Sequence, residues 1–265
     1  MNYTFKFVSP EGHEWRLMDP NPNGVFINEG TLANQFTGAL KETASTFVGA
    51  PGQLVSSADS QFLPITGSLQ CTVSAEFCDD SVEKVWREFR EDWESTSPEK
   101  PGSFVLNRDG GLGELILPVR LNGGSLPGAG SNPGELDEIP ITVPVVADKG
   151  QWLFRDYGSG IVTVTNIGKG FIRPKIRWVG VGGVVELPSG ATFTLPPVSE
   201  PRTISLDYTR SFEVLDDGGV LDDALWRELR GEVVGEGIPQ KESRTYTLPE
   251  DAMLLWDLAF LNPWR

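Results

Sequence analysis

Few residues in this chain are able to do acid–base or nucleophilic chemistry. His13 is the single histidine. A Ser-His-Asp triad or a Cys-His pair would have to use it, and a site built from several histidines is excluded. Cys71 and Cys78 are the two cysteines. On one extended strand they would stand about 23 Å apart, against the roughly 7 Å that a disulfide allows between Cα atoms. They are therefore expected as free thiols of a reducing compartment. Asp19-Pro20-Asn21-Pro22-Asn23-Gly24 matches the first six positions of a calcium loop, D-x-N-x-N-G. The closing glutamate falls out of register, because the twelfth position is Gly30 and Glu29 comes one residue early. Two prolines inside and no flanking helix make it a structural turn.

Three acidic pairs, Asp79-Asp80, Asp216-Asp217 and Asp222-Asp223, have the composition of a glycosidase acid and nucleophile. Two of them lie at or near expected helix starts, where the helix dipole favours negative charge. They are read as caps and solvated surface. The glycine clusters Gly110-Gly111-Leu112-Gly113, Gly168-Lys169-Gly170 and Gly180-Val181-Gly182-Gly183 do not sit between a strand and a helix. They are expected as hairpin turns and bulges, not as phosphate cradles. No catalytic, metal-binding or cofactor-binding residue emerges, and the chain is expected not to be an enzyme.

The 265 residues carry 37 acidic and 22 basic side chains, a net charge of −15. Neutralising nucleic-acid phosphates needs clustered lysine and arginine, and an anionic membrane surface attracts the same groups. Both partners are disfavoured. Tyr3-Thr4-Phe5-Lys6-Phe7-Val8 alternates like a strand and lacks the apolar stretch of a signal peptide. The apolar run Ala252 to Leu261 is broken by Asp257 and is too short to insert in a bilayer. Trp86 and Trp93 fall on an apolar helix face. Trp152, Trp178, Trp256 and Trp264 lie on or beside β segments, where core, subunit contact and sugar platform are all open.

Period-two alternation dominates, so the expected fold is mainly β. Leu69, Cys71, Val73, Ala75 and Phe77 share one face of a strand over 68–77. Leu115 to Leu121 and Ile139 to Val145 repeat the pattern. Pro140 and Pro144 in the latter predict an edge strand or one free side. Shorter strands are expected at 3–8, 14–18, 103–107, 160–165, 171–179, 184–187, 192–195, 203–206, 211–215, 244–248 and 252–260. Val82, Val85, Trp86, Phe89 and Trp93 follow helical spacing, giving a helix over 81–94 that begins at Asp80, with Glu83 completing a capping box. Leu221, Ala224, Leu225 and Leu229 mark a second, short helix that stops at Gly231. Residues 122–138 read as a Gly-rich loop inside the first domain, and Asp148-Lys149-Gly150 as the break after it. The expected domains are 1–150, with the helix, and 151–265, both β-sandwich-like.

Leu54-Val55-Ser56 to Gly67, then strand 68–77, the helix and the strand pair 103–121 resemble the ring-forming N-terminal domain of one family: the distal tail proteins of long-tailed bacteriophages, known as minor tail proteins. Val143-Pro144-Val145-Val146-Ala147-Asp148-Lys149-Gly150-Gln151-Trp152 resembles the segment closing that domain. Val162-Thr163-Val164-Thr165-Asn166-Ile167-Gly168 and Ile172-Arg173-Pro174-Lys175-Ile176 resemble the start of its C-terminal galectin-like sandwich. Phe260-Leu261-Asn262-Pro263-Trp264-Arg265 is similar to endings of tail proteins from phages of actinobacteria. The resemblance implies a hexameric ring at the tail tip of a siphophage virion, assembled in the host cytoplasm. Its neighbours would be the tail tube protein and the baseplate or fibre proteins, with DNA passing through. A carbohydrate-binding module of two sandwiches, recognising host glycans, is the alternative; it would present exposed aromatics in a groove.

Overall fold

A computed structural model describes residues 3–20, 22–32, 35–45, 54–77 and 80–264, with the backbone alone at 42–45 and 54–60. The chain divides into two compact units. One holds Met1–Phe154 together with Phe260–Arg265, and the other holds Arg155–Ala259. The division thus falls a few residues beyond the Asp148-Lys149-Gly150 break, and the C-terminal tail, expected in the second domain, belongs to the first unit.

The first unit contains β1 (Tyr3–Val8), β2 (Glu14–Met18), β3 (Val25–Ile27), β4 (Ala39–Ser45), β5 (Leu54–Leu63), β6 (Ile65–Ser74), α1 (Val82–Glu94), β7 (Gly102–Arg108), β8 (Leu115–Leu121), β9 (Glu138–Ala147) and the start of β10 (Trp152–Ser159). All pairings are antiparallel. The order β2-β1-β7-β8 is continuous. Strand β8 then divides its partners: Leu115 and Ile116 pair with β10, while Arg120 and Leu121 pair with β9. Strand β9 pairs with β6 along ten residues, and β6 with β3.

Strand alternation places Phe5, Phe7, Trp15, Leu17, Phe104 and Leu106 on the inner face. Helix α1 lays Val82, Val85, Phe89 and Trp93 against them. The Trp93 indole stacks on Phe7 with centroids 3.9 Å apart and planes 6° from parallel. Phe89 and Phe104 meet the same indole edge-on. Fully burying each such ring contributes about 1.5–3 kcal/mol, which makes this cluster the main anchor of the helix.

The proline-bearing β9 keeps one largely free side. Ser68 N–H is taken by Gln35 Oε1, and Gln70 C=O by Asn28 N–H. The even-numbered positions of β6 therefore turn away from β9. Their partners Pro140 and Pro144 likewise turn away from β6, so the missing N–H groups cost no ladder bond. The Gly-rich segment 122–138 folds back over α1. Leu126 is buried; its C=O accepts from Arg90 Nη2 at 3.0 Å and its N–H donates to Glu94 Oε1 at 3.1 Å.

Two expectations here need correcting. Strand 68–77 starts earlier, at Ile65, and ends at Ser74. Ala75–Phe77 form a single 3-10 turn, and both Ala75 and Phe77 are exposed. The turn is captured by Ala75 N–H donating to Asp137 C=O. The cap of α1 is Ser81 rather than Asp80: Ser81 Oγ accepts from Lys84 N–H at 3.3 Å. Asp80 instead pairs with Lys84 Nζ at 2.7 Å, so Glu83 completes no capping box.

The second unit contains the rest of β10, then β11 (Ile161–Thr165), β12 (Lys175–Gly180), β13 (Gly183–Glu186), β14 (Thr192–Leu195), β15 (Val198–Ser205), β16 (Val214–Asp216), α2 (Asp223–Leu229), β17 (Ser243–Thr247) and β18 (Ala252–Phe260). One sheet runs β11-β17-β13-β14 and buries Val162, Val164, Tyr246, Val185, Phe193 and Leu195. The other runs β16-β15-β12-β18 and buries Val214, Ile204, Ile176, Trp178, Leu254 and Leu258. Each sheet has one buried and one exposed face, the arrangement of a β-sandwich.

Three elements differ from expectation in this unit. Strand 171–179 begins only at Lys175; Ile172 makes an isolated bridge to Ile238 ahead of Pro174, which has no N–H to give. Strand 211–215 begins only at Val214, because Ser211 and Phe212 take left-handed φ values of 52° and 58°. Helix α2 starts at Asp223, capped by Asp222. It buries only Leu229; Leu221 lies outside it, bridged to Leu215, and Ala224 is exposed.

Candidate functional site

Among the described residues, those with chemical potential are tied into structure. His13 closes the β1–β2 turn, its N–H donating to Ser9 Oγ at 3.1 Å. Its Nδ1 lies 2.8 Å from Asp92 Oδ2, the oxygen that also accepts from Trp15 Nε1 at 2.6 Å. No nucleophile joins them among the described contacts. Asn21 and Cys78 lie outside the described residues, as does Asp79. Of the calcium-like segment, Asn23 serves as a clamp on β2: its Oδ1 accepts from Arg16 N–H and its Nδ2 donates to Glu14 C=O, both at 2.8 Å. Among the described residues no three His, Cys, Asp or Glu converge as metal ligands. Cys71 faces the core of the first unit, and burial pushes its thiol far up, away from nucleophilic thiolate.

The acidic pairs act locally. Asp216 Oδ1 accepts from Val220 N–H at 2.8 Å, and Asp217 takes a forked contact from Arg177 at 3.0 Å. Asp222 caps α2 by accepting from Leu225 N–H and holds Arg202 Nε at 2.8 Å. The Arg202 guanidinium and the backbone bond together lower its pKa. Asp223 pairs with Arg227. The glycine clusters are turns: Gly110, Gly170, Gly180 and Gly182 all take positive φ. None of the eight tryptophans is exposed. Trp15, Trp93, Trp152 and Trp178 are fully buried, and the other four are half-buried.

One element stands outside the larger sheets, the hairpin of β4 and β5. Among the described residues, strands β4 and β5 pair only with each other, from Ala39↔Leu63 at the root to Ser45↔Leu54. An isolated two-stranded ribbon is marginal in water and finds stability through what covers it. Its backbone carries no hydrophobic alternation, which is why neither strand was visible as a period-two pattern.

Its root, by contrast, is held tightly. Phe36 is buried with a left-handed φ of 55°, and its C=O accepts from the buried Trp152 Nε1 at 2.7 Å. Gly38 N–H donates to Leu261 C=O at 2.7 Å. A Cβ on Gly38 would stand 2.4 Å from Gly150 O, and one on Gly150 would stand 1.9 Å from Leu63 O. Four segments therefore meet backbone to backbone: both ends of the hairpin, the 148–150 turn and the C-terminal tail. Trp264 completes the tail's seat edge-on against Tyr3 at 5.7 Å. Beside the root lies an open groove of about 500 Å³ lined by Gln35, Phe36, Thr37, Leu63, Ile65 and Ser68. A smaller cavity of about 170 Å³ on the β1–β2 face is lined by charge pairs, with Lys6 between Glu14 and Glu114.

No family model and no curated protein matches the sequence. Solved structures do. The Dit protein of phage SPP1, described as a paradigm of the hub adsorption apparatus in phages infecting Gram-positive bacteria, superposes with a TM-score of 0.53 at 9% identity, over 98% of this chain and 100% of that one. A chain of the phage P2 baseplate in its activated conformation matches with calcium at a TM-score of 0.53 and 8% identity, and with strontium at 0.55 and 9%. Both P2 matches cover 97% of this chain and 98% of that one. The likeness spans both units, and the chain has the mainly β fold of the phage distal tail and baseplate hub proteins.

Proposed function

We propose that this chain is a structural component of a siphophage tail tip, forming a hexameric ring that joins the tail tube to the baseplate or fibre proteins. The observation that carries the reading is the extent of the likeness to the SPP1 hub protein, which leaves almost none of either chain uncovered. Two features of the molecule support it. Among the described residues, the β4–β5 hairpin has no partner outside itself, as a subunit contact requires. The first unit, which the ring reading places around the channel, carries 21 acidic against 11 basic residues, a net −10 of the total −15. Like charge keeps a passing DNA duplex from adhering to the wall. The reading gives the chain no catalytic role and places it in the virion, assembled in the host cytoplasm.

Light scattering over a concentration series, with electron-microscope class averages of the same sample, tests the proposal. Six-fold rings with a central hole are expected. A strict monomer at every concentration, which also fails to form rings when mixed with its tail tube protein, overturns it.

A further inference from the structure

Two asparagines in the chain are followed by glycine: Asn23-Gly24 and Asn122-Gly123. The structure treats them in opposite ways. The Asn23 amide is fixed at both ends by its bonds to Arg16 N–H and Glu14 C=O. Asn122 follows the last residue of β8 and is exposed. Its backbone N–H is anchored to Pro144 C=O at 2.8 Å, but no hydrogen bond holds its side-chain amide among the described residues. Beyond it, Gly123 has φ +136°, and neither Gly123 nor Gly124 has any atom within 4 Å of where a Cβ would stand. The Asn122 side chain is thus exposed and unpinned, next to two glycines with open space around them.

We infer that Asn122 is a site of spontaneous modification, ageing to aspartate and isoaspartate, and that Asn23 is protected by the fold. The Gly123 backbone nitrogen loses its proton to water or hydroxide and attacks Asn122 Cγ. The new N–Cγ bond closes a five-membered succinimide, and the Cγ–Nδ2 bond breaks to release ammonia. Water then adds to one of the two ring carbonyls and reopens the ring, giving aspartate or isoaspartate. The other asparagines face slower chemistry. Those at 21, 132 and 262 precede proline, which has no N–H, and Asn166 precedes the β-branched Ile167. The Asn166 side chain is also fixed by three hydrogen bonds.

The product keeps the fold. The anchoring N–H of Asn122 is untouched, and two glycines absorb the extra backbone carbon of isoaspartate before Leu126 docks on α1. What changes is charge: one more carboxylate at the base of the 122–138 strap.

The test is peptide mapping by mass spectrometry of the intact folded chain during incubation at mildly alkaline pH, run in parallel in concentrated urea. In the folded chain, amide-to-acid conversion at Asn122 is expected at least about tenfold faster than at Asn23, a barrier difference of about 1.4 kcal/mol. In urea the two sites should converge, because the protection of Asn23 is structural. Gly123→Ala should slow the Asn122 conversion and leave Asn23 unchanged. Equal rates in the folded chain, faster loss at Asn23, or a ratio unaltered by urea overturns the inference.

Discussion

Replacing Gly150 by alanine tests whether the hairpin is held from its root. Gly150 has φ +64°, and the added Cβ would stand 1.9 Å from Leu63 O, about 1.5 Å short of the 3.4 Å at which ordinary contact begins. The left-handed conformation alone costs an alanine about 1–2 kcal/mol. Overpacking against backbone adds about 1–3 kcal/mol, because a carbonyl in a strand cannot rotate aside as a side chain would. The expected loss is therefore about 2–5 kcal/mol. Gly110→Ala is the matched control: its φ is +73° but nothing lies within 4 Å, so only the conformational cost of about 1–2 kcal/mol applies. Urea midpoints for the two variants, read with hydrogen exchange across 39–63, separate the contributions. Gly150→Ala should lower the midpoint further and speed exchange at Ala39–Lys41 and Gln61–Leu63, while β6 and β9 stay protected. Equal midpoint shifts for both variants, with hairpin exchange unchanged, would refute the idea that these close approaches set the root.

Three further outcomes follow from the same geometry. Trp93→Ala removes the ring stacked on Phe7 and should cost about 3–5 kcal/mol, seen as a lowered urea midpoint. Asn166→Ala removes the amide bonded to Gly170 C=O, Ile238 C=O and Gly168 N–H, of which Ile238 C=O keeps only the Ile172 N–H; a loss of about 2–4 kcal/mol in the second unit is expected, with faster exchange at 166–170. Asp222→Asn should lose stability that depends on pH. Folding lowers the pKa of Asp222, so its contribution is complete above the unfolded carboxylate value of about 3.9 and disappears as pH falls through the folded value. The midpoint difference between parent and variant should be constant near neutrality and shrink toward zero in acid.

Alternation made the inner strands legible, because burial on one face writes itself into every second residue. Phe5 and Phe7, Leu117 and Val119, and Val143 and Val145 were readable for this reason. The spacing of Val82, Val85, Phe89 and Trp93 revealed α1 equally well, while the choice of Ser81 over Asp80 as cap turned on a single side-chain orientation. Strands β4 and β5 were not legible: neither Ala39–Ser45 nor Leu54–Leu63 alternates apolar with polar residues along its length. Leu221 and Ala224 misled in the other direction, since helical spacing over so short a segment does not say which side meets the core. The root of the hairpin left only a faint trace. Gly38 and Gly150 are ordinary glycines in a sequence with thirty, and only the backbone approach of Leu63 and Leu261 marks them.

This division explains how a fold can match over nearly its whole length at 8–9% identity. The constraints acting on this chain are a buried period-two face on each sheet, one aromatic-faced helix and a few positions where backbone meets backbone. The buried faces accept any apolar side chain of suitable volume, and the outward faces are freer still. Only the close approaches demand one residue type, and they are too few to carry a sequence match. Among the described residues, Asp222 serves as a cap, Asn23 as a clamp in a turn and Asp217 in an ion pair. What stands apart among the described residues is a hairpin paired only within itself, its two ends meeting the 148–150 turn and the C-terminal tail backbone to backbone.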